Sequence, residues 1–269
     1  MGPTREEVVA HLLATGMAGQ VATPRENNLD HYQRLAYRDP DYMFGLNPGR
    51  GWDQDAILEL MAQKVGVDPR ASFRHGVDTI DPELTVAALD RYAARFDKAL
   101  REKQRVLFAT GHPRTLARLY QRLAAALTEA GGTVVEVGAG SGYDGYTRHG
   151  WQRLEVDSFL GVATLGDAGG SVHTHSDRPI RLVLAALEQA GAALPDLVVA
   201  DHGWCGGAAF AGIDAIGFAD CNDPALFVGE EEGTVAVSVP LDDGVDAPEY
   251  DLLGAYILAA SENRMDFGL

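Results

Sequence analysis

The chain has 269 residues, 46% of them hydrophobic, enough to bury one large core or two small ones. Its 39 acidic residues against 22 basic ones leave a net charge of −17, which argues against general binding to nucleic-acid backbones or to anionic membrane surfaces. Two cysteines, Cys205 and Cys221, make no disulfide framework and fit a reducing, cytoplasmic compartment. The N-terminal stretch has no basic start followed by an apolar run, so no signal peptide is expected. No run of about 18 apolar residues suggests a membrane span.

Residues 1–104 read as a mainly helical region with long loops. Thr4 followed by Glu6 and Glu7 suits a helix N-cap with an acidic first turn, and Val8, Val9, Leu12 and Leu13 supply an apolar stripe. The next stretch, from Thr23 to Asp55, is too polar for a core and too aromatic for disorder. Its Arg25, Asn27, Asn28, His31 and Tyr32 are candidates for a lid or substrate wall. Helical spacing resumes over Ala56–Val65. Asp81-Pro82-Glu83 starts a further helix that carries Tyr92 and Phe96 towards Leu100.

From Arg105 the texture changes to alternating strands and helices. R-V-L-F-A-T-G closes a buried strand, and Pro113–Ala130 forms an amphipathic helix stopped by Gly131-Gly132. T-V-V-E-V-G is a second strand. Residues 153–165 give one or two strands with a turn, and Pro179–Ala190 a helix. D-L-V-V-A-D and D-A-I-G-F-A-D are strands separated by a short helix or turn. T-V-A-V-S-V-P-L is the last strand, before a final helix over Tyr250–Ala260. Alternation of this kind implies a parallel, Rossmann-like α/β domain over 105–269.

In open parallel sheets, ligands gather beyond the carboxyl ends of the strands. Four loops there carry chemistry. Gly111-His112-Pro113 opens a helix, whose free N–H groups suit an anion, and Arg114 adds charge. Gly169, Gly170 and Ser171 free backbone donors for an oxyanion. His173 and His175, if extended, face one side. Asp201-His202 and Asp220-x-Asn222-Asp223 place carboxylates and an amide beside imidazole, a set able to hold Mg²⁺ or Mn²⁺ or to act as general base or nucleophile. Two rival patterns are weaker. His202-x-x-Cys205 with Cys221 would make a mixed zinc site. Val134–Gly145 matches the glycine-rich motif of S-adenosylmethionine methyltransferases, but no apolar helix follows it.

The motifs F-A-T-G-H-P (108–113), H-T-H-S (173–176), D-L-V-V-A-D-H-G (196–203) and A-D-C-N-D-P-A-L (219–226) together resemble a bacterial, largely actinobacterial family of phosphatases, as does T-P-R-E-N-N (23–28). The glycine-rich insert at 138–150 departs from that pattern. The resemblance implies hydrolysis of a small phosphate monoester, assisted by a divalent metal. On this reading Gly111, Arg114, Gly169, Gly170, Ser171, His173 and Asn222 bind the phosphorylated substrate. His112, His175, Asp201, His202 and Asp220 do the chemistry, and Asp201, Asp220 and Asp223 hold the metal. The competing readings are a methyltransferase and a non-catalytic nucleotide or sugar-phosphate binding protein. Association into a homo-oligomer is compatible with the sequence.

Overall fold

The computed structural model describes residues 2–137, 141–147 and 150–266. Helix α1 (Arg5–Thr15) starts with a capping box. The Thr4 hydroxyl accepts from the Glu7 N–H, and Thr4 N–H donates to the Glu7 carboxylate at 2.8 Å. The N-terminal region is not purely helical. Strand β1 (Gly19–Pro24) pairs antiparallel with β2 (Val77–Ile80) across the intervening helices α2 (Arg25–Ala36) and α3 (Gln54–Lys64). Helix α4 (Pro82–Arg101) is capped by Asp81, as its sequence predicts.

Part of the polar stretch from Thr23 to Asp55 forms α2, and one face of that helix is buried. Arg25 is 0% exposed and donates Nη1 to Asp78 Oδ2 at 2.9 Å and Nε to Phe73 O at 2.9 Å. Asn28 donates to the same carboxylate oxygen. Polar side chains can be buried when each finds a partner, and here one carboxylate serves two of them.

The remaining elements form the central sheet and its cover. Strand β3 (Arg105–Ala109) is followed by α5 (Ala117–Glu129), β4 (Thr133–Val134), β5 (Gly142–Thr147), β6 (Gly150–Phe159), β7 (Val162–Asp167) and β8 (Gly170–Val172). Then come α6 (Arg178–Gln189), β9 (Leu197–Asp201), α7 (His202–Phe210), β10 (Ala215–Ala219), α8 (Pro224–Glu231), β11 (Val237–Pro240) and α9 (Asp251–Asp266). The order across the sheet is β11-β10-β9-β3-β7-β6-β5, with β4 beside β3 and β8 beside β7.

The half from β11 to β7 is parallel; the β7–β6–β5 half and the β7–β8 pair are antiparallel. The fold is therefore mixed α/β with a mostly parallel sheet, rather than wholly parallel. β9, β10 and β11 are buried at every position, which requires cover on both faces. Helices α4, α5 and α9 pack together as one layer, and α6, α7 and α8 as another that α2 and α3 join. The expected second strand shrinks to the two residues of β4. Asp223 stands at the N-cap of α8, whose first residue is Pro224. Among the described residues no helix is long and apolar enough to cross a membrane.

Candidate active site

The carboxyl ends of β3, β9, β10 and β11, with the loop after β8, bring Asp and His side chains to one place. The β9–α7 junction is the pivot. Asp201 is the last strand residue, and His202 begins the helix with φ +44°, a left-handed conformation uncommon for a side chain of this size. The next residue is Gly203, where a Cβ would lie 2.3 Å from the Ser176 carbonyl carbon and 2.4 Å from His175 O. Glycine thus lets the helix start press against the loop that carries His173 and His175.

Asp201 is completely engaged. Its Oδ1 accepts from Gly111 N–H at 2.7 Å and from His202 Nδ1 at 3.0 Å; its Oδ2 accepts from the Thr110 hydroxyl at 2.6 Å. That bond turns the other ring nitrogen of His202 inward, 3.0 Å from Asp223 Oδ2 and 3.7 Å from Asp243 Oδ2. His175 stacks on His202 at 4.5 Å between centroids, and His112 lies 4.5 Å from it on another side. His173 is 4.3 Å from His112 and 4.7 Å from His175. Phe44 closes the apolar side, edge-on to both His175 and His202.

Five carboxylates are buried here: Asp201, Asp220, Asp223, Asp242 and Asp243. Among the described residues their ion-pair partners are histidines alone, His202 and His112. Burial works against a charged His202, but Asp223 and Asp201 outweigh it and hold the imidazole well above its ordinary range. Burial and then the His202 charge push His112 and His175 down to about 3, and His173 is lowered for the same reasons. Despite burial, the imidazolium keeps Asp201 and Asp223 below the usual carboxylate range. Burial and the neighbouring Asp242 carboxylate push Asp220 up to about 7. Burial and the surrounding carboxylates also raise Asp243, against the pull of His202. One imidazolium therefore does not neutralise the group. Asp243 Oδ2 and His112 Nδ1 are buried without a hydrogen-bond partner, although only 3.3 Å apart.

A cleft of about 720 Å³ opens onto this centre. His112 and His173 stand on its wall with Arg114, Arg178, Tyr143, Tyr146 and the Gly169–Ser171 turn. A hollow of about 480 Å³ beside α3, lined by Leu58, Ala62 and Pro69, has no comparable convergence of groups.

The Phosphatase family model matches residues 3–264. The chain belongs to the Phosphatase family. A Streptomyces coelicolor protein, Phosphatase SCO2771, is 49% identical over 259 residues, covering 95% of each chain. Phosphatase chemistry is thus the activity of the family to which this centre belongs.

Within this family member, the residues singled out from sequence fall as follows. His112, His173, His175, Asp201, His202, Asp220 and Asp223 meet at the centre. Three groups of donor atoms lie within 4.8 Å of one another: His112–His173–His202, His175–His202–Asp223 and Asp220–Asp242–Asp243. Gly169, Gly170, Ser171 and Arg114 line the cleft. Asn222 turns away, its amide donating to Asn27 Oδ1 at 2.8 Å while its carbonyl accepts from His31 Nδ1.

Several expectations change. The Gly111 N–H is not free for phosphate, because Asp201 holds it, and α5 begins only at Ala117. β8 ends at Val172, so His173 and His175 converge from a loop rather than along a strand. No donor group among the described residues includes Cys205 or Cys221, which removes the mixed zinc site. Gly138 and Gly140 of the methyltransferase-like motif lie outside the described residues. The residues after them form β5 instead of the helix such a motif needs.

The lid candidates have protein partners: Tyr32 donates to Cys221 O and Asn28 Oδ1 receives the Cys221 thiol, so α2 braces the loop after β10. Phe44, Asp242 and Asp243 lie outside the residues that the sequence singles out. The last two follow β11, so the strand-end rule itself, applied to one more strand, points to them.

Proposed function

We propose that the chain hydrolyses small phosphate monoesters at a centre of two divalent ions. The observation that carries this reading is the concentration of five buried carboxylates without a lysine or arginine partner among the described residues. Buried anions need a counter-charge, and divalent ions supply the largest one available. The donor spacing also fits, since ligands with bonds of about 2.1 Å lie roughly 3.0 Å apart at neighbouring positions of an octahedral shell and roughly 3.4 Å apart in a tetrahedral one. Asp243 Oδ2 stands 3.3 Å from His112 Nδ1 and 3.7 Å from His202 Nε2, in misaligned contacts that an ion would resolve.

One pole is imidazole-rich: His202, with His112, His173, His175 and Asp223 around it. The other is all carboxylate: Asp220, Asp242 and Asp243. Mn²⁺ suits both donor types, Mg²⁺ the second better than the first. Such ions lower the pKa of bound water and offset charge on transferring phosphoryl oxygens. The protein's own residues do the rest. Asp201 fixes the His202 tautomer by taking its Nδ1–H, the usual support of a metal-binding histidine. Arg114 holds phosphate oxygens at the cleft; the Gly169–Ser171 segment lines it but is no free donor nest, since Asp167 takes the Gly169 N–H and Gly170 and Ser171 pair with β7.

Phosphate release from p-nitrophenyl phosphate and from a panel of phosphorylated metabolites tests the reading. Turnover is expected with Mn²⁺. Absence of release with Mn²⁺, Mg²⁺ and Zn²⁺ alike, even where a phosphorylated compound binds, would replace it with a non-catalytic binding role.

A further inference from the structure

The cleft is far larger than one phosphate group, and its volume lies within the roughly 300–1,000 Å³ of pockets that enclose small molecules. The lining other than His112 and His173 therefore reports on the leaving group. It includes the β5–β7 wall, with Tyr143, Tyr146, Leu154 and Leu165, and ends with the start of α6.

Arg178 stands at that end. It is exposed, the first residue of α6, and has no carboxylate partner among the described residues. Arg114 on the same cleft likewise has none, whereas Arg34, Arg91, Arg95 and Arg118 elsewhere on the chain are ion-paired. Its neighbour Asp177 is turned away from it, paired to Arg181 Nε at 2.9 Å.

The Arg178 guanidinium lies 4.0 Å from the centroid of the Tyr143 ring, which orients it at low entropic cost. The first turn of α6 contains no acidic residue, so its dipole adds to the positive field. The charged or titratable groups facing this space are Arg114, Arg178, His112, His173, Tyr143, Tyr146 and Asp167. Asp167 accepts the Gly169 N–H at 2.7 Å. Arg114 follows His112 in the chain and belongs with the transferred phosphate, whereas Arg178 is tied to the β5 hairpin.

We infer that the substrate's leaving group carries a second anionic group, a phosphate or a carboxylate, bound by Arg178 against Tyr143. The inference rests on the phosphatase reading and adds the substrate class to it.

The test compares kcat/KM within pairs that differ only in the second anion: glucose 6-phosphate with glucose 1,6-bisphosphate, AMP with adenosine 3′,5′-bisphosphate, and glycerol 2-phosphate with 2-phosphoglycerate. The phosphate pairs and the carboxylate pair separate the two sources of charge. At least one pair should favour the doubly anionic member tenfold or more. Arg178→Gln should lower kcat/KM on that member at least tenfold more than on p-nitrophenyl phosphate, and Arg178→Lys should recover part of the difference. Equal loss on every substrate would place Arg178 on the transferred phosphate and overturn the inference, as would the lack of preference in all three pairs. Either result leaves the phosphatase reading standing. A wild-type chain that releases phosphate from none of these substrates would remove both.

Discussion

His202→Asn should reduce kcat/KM for phosphate release on the order of 10³-fold or more, beyond the roughly 10–100-fold typical of losing a group that only orients a ligand. His202 is the one side chain shared by both imidazole-containing donor groups, and it touches Asp201, Asp223, His112 and His175. Asparagine is the informative replacement because it tolerates the left-handed backbone at φ +44°, so loss of activity is not loss of the β9–α7 turn. Asp201→Asn should cost less, about 10–100-fold, because Asp201 acts through His202 and the Gly111 turn rather than on substrate. Steady-state kinetics with unfolding curves for both variants make the comparison. A His202→Asn enzyme retaining a tenth of wild-type activity would contradict the arrangement.

Removing the metal should be felt in stability as well as in turnover. An ion present at about 1,000 times its Kd adds about 4 kcal/mol to the folded state. In a chain of this size that is worth about 10 °C in Tm. Dialysis against a chelator should therefore lower Tm by about that amount, and Mn²⁺ should restore it.

The stripped protein should also acquire a pH dependence that the loaded one lacks. Burial and Asp242 hold the Asp220 carboxyl up to about 7, whereas in the unfolded chain it titrates near 4. Between about pH 4 and pH 7 the folded form then retains a proton that the unfolded form has lost. Stability of the stripped protein falls as pH rises through that window. Identical melting of chelated and Mn²⁺-loaded samples across it would show that the carboxylates are not an ion site.

The sheet was legible where physics leaves one option. V-L-F-A, L-V-V-A-D and A-I-G-F-A are too apolar and too short to be anything but strands covered on both sides, and they are β3, β9 and β10. Their carboxyl ends pointed to His112, Asp201, His202, Asp220 and Asp223 by topology alone.

Other elements were hidden because their stabilising partners are distant. β1 ends in proline and pairs with residues more than 50 positions away. α2 has a polar face that reads as solvent-facing until Asp78 appears beneath Arg25 and Asn28. The Gly111 turn reads as a free anion nest, but in the fold Asp201, 90 positions on, already occupies it. Asp242-Asp243 follows the last strand, and burial makes it part of the centre.

Anomalous diffraction from crystals grown with Mn²⁺ and inorganic phosphate tests the central claim most directly. The arrangement predicts two manganese peaks, one among His112, His202, Asp223 and Asp243 and one among Asp220, Asp242 and Asp243, with phosphate between them and Arg114. Phosphate bound elsewhere, with no manganese at the five carboxylates, would contradict it.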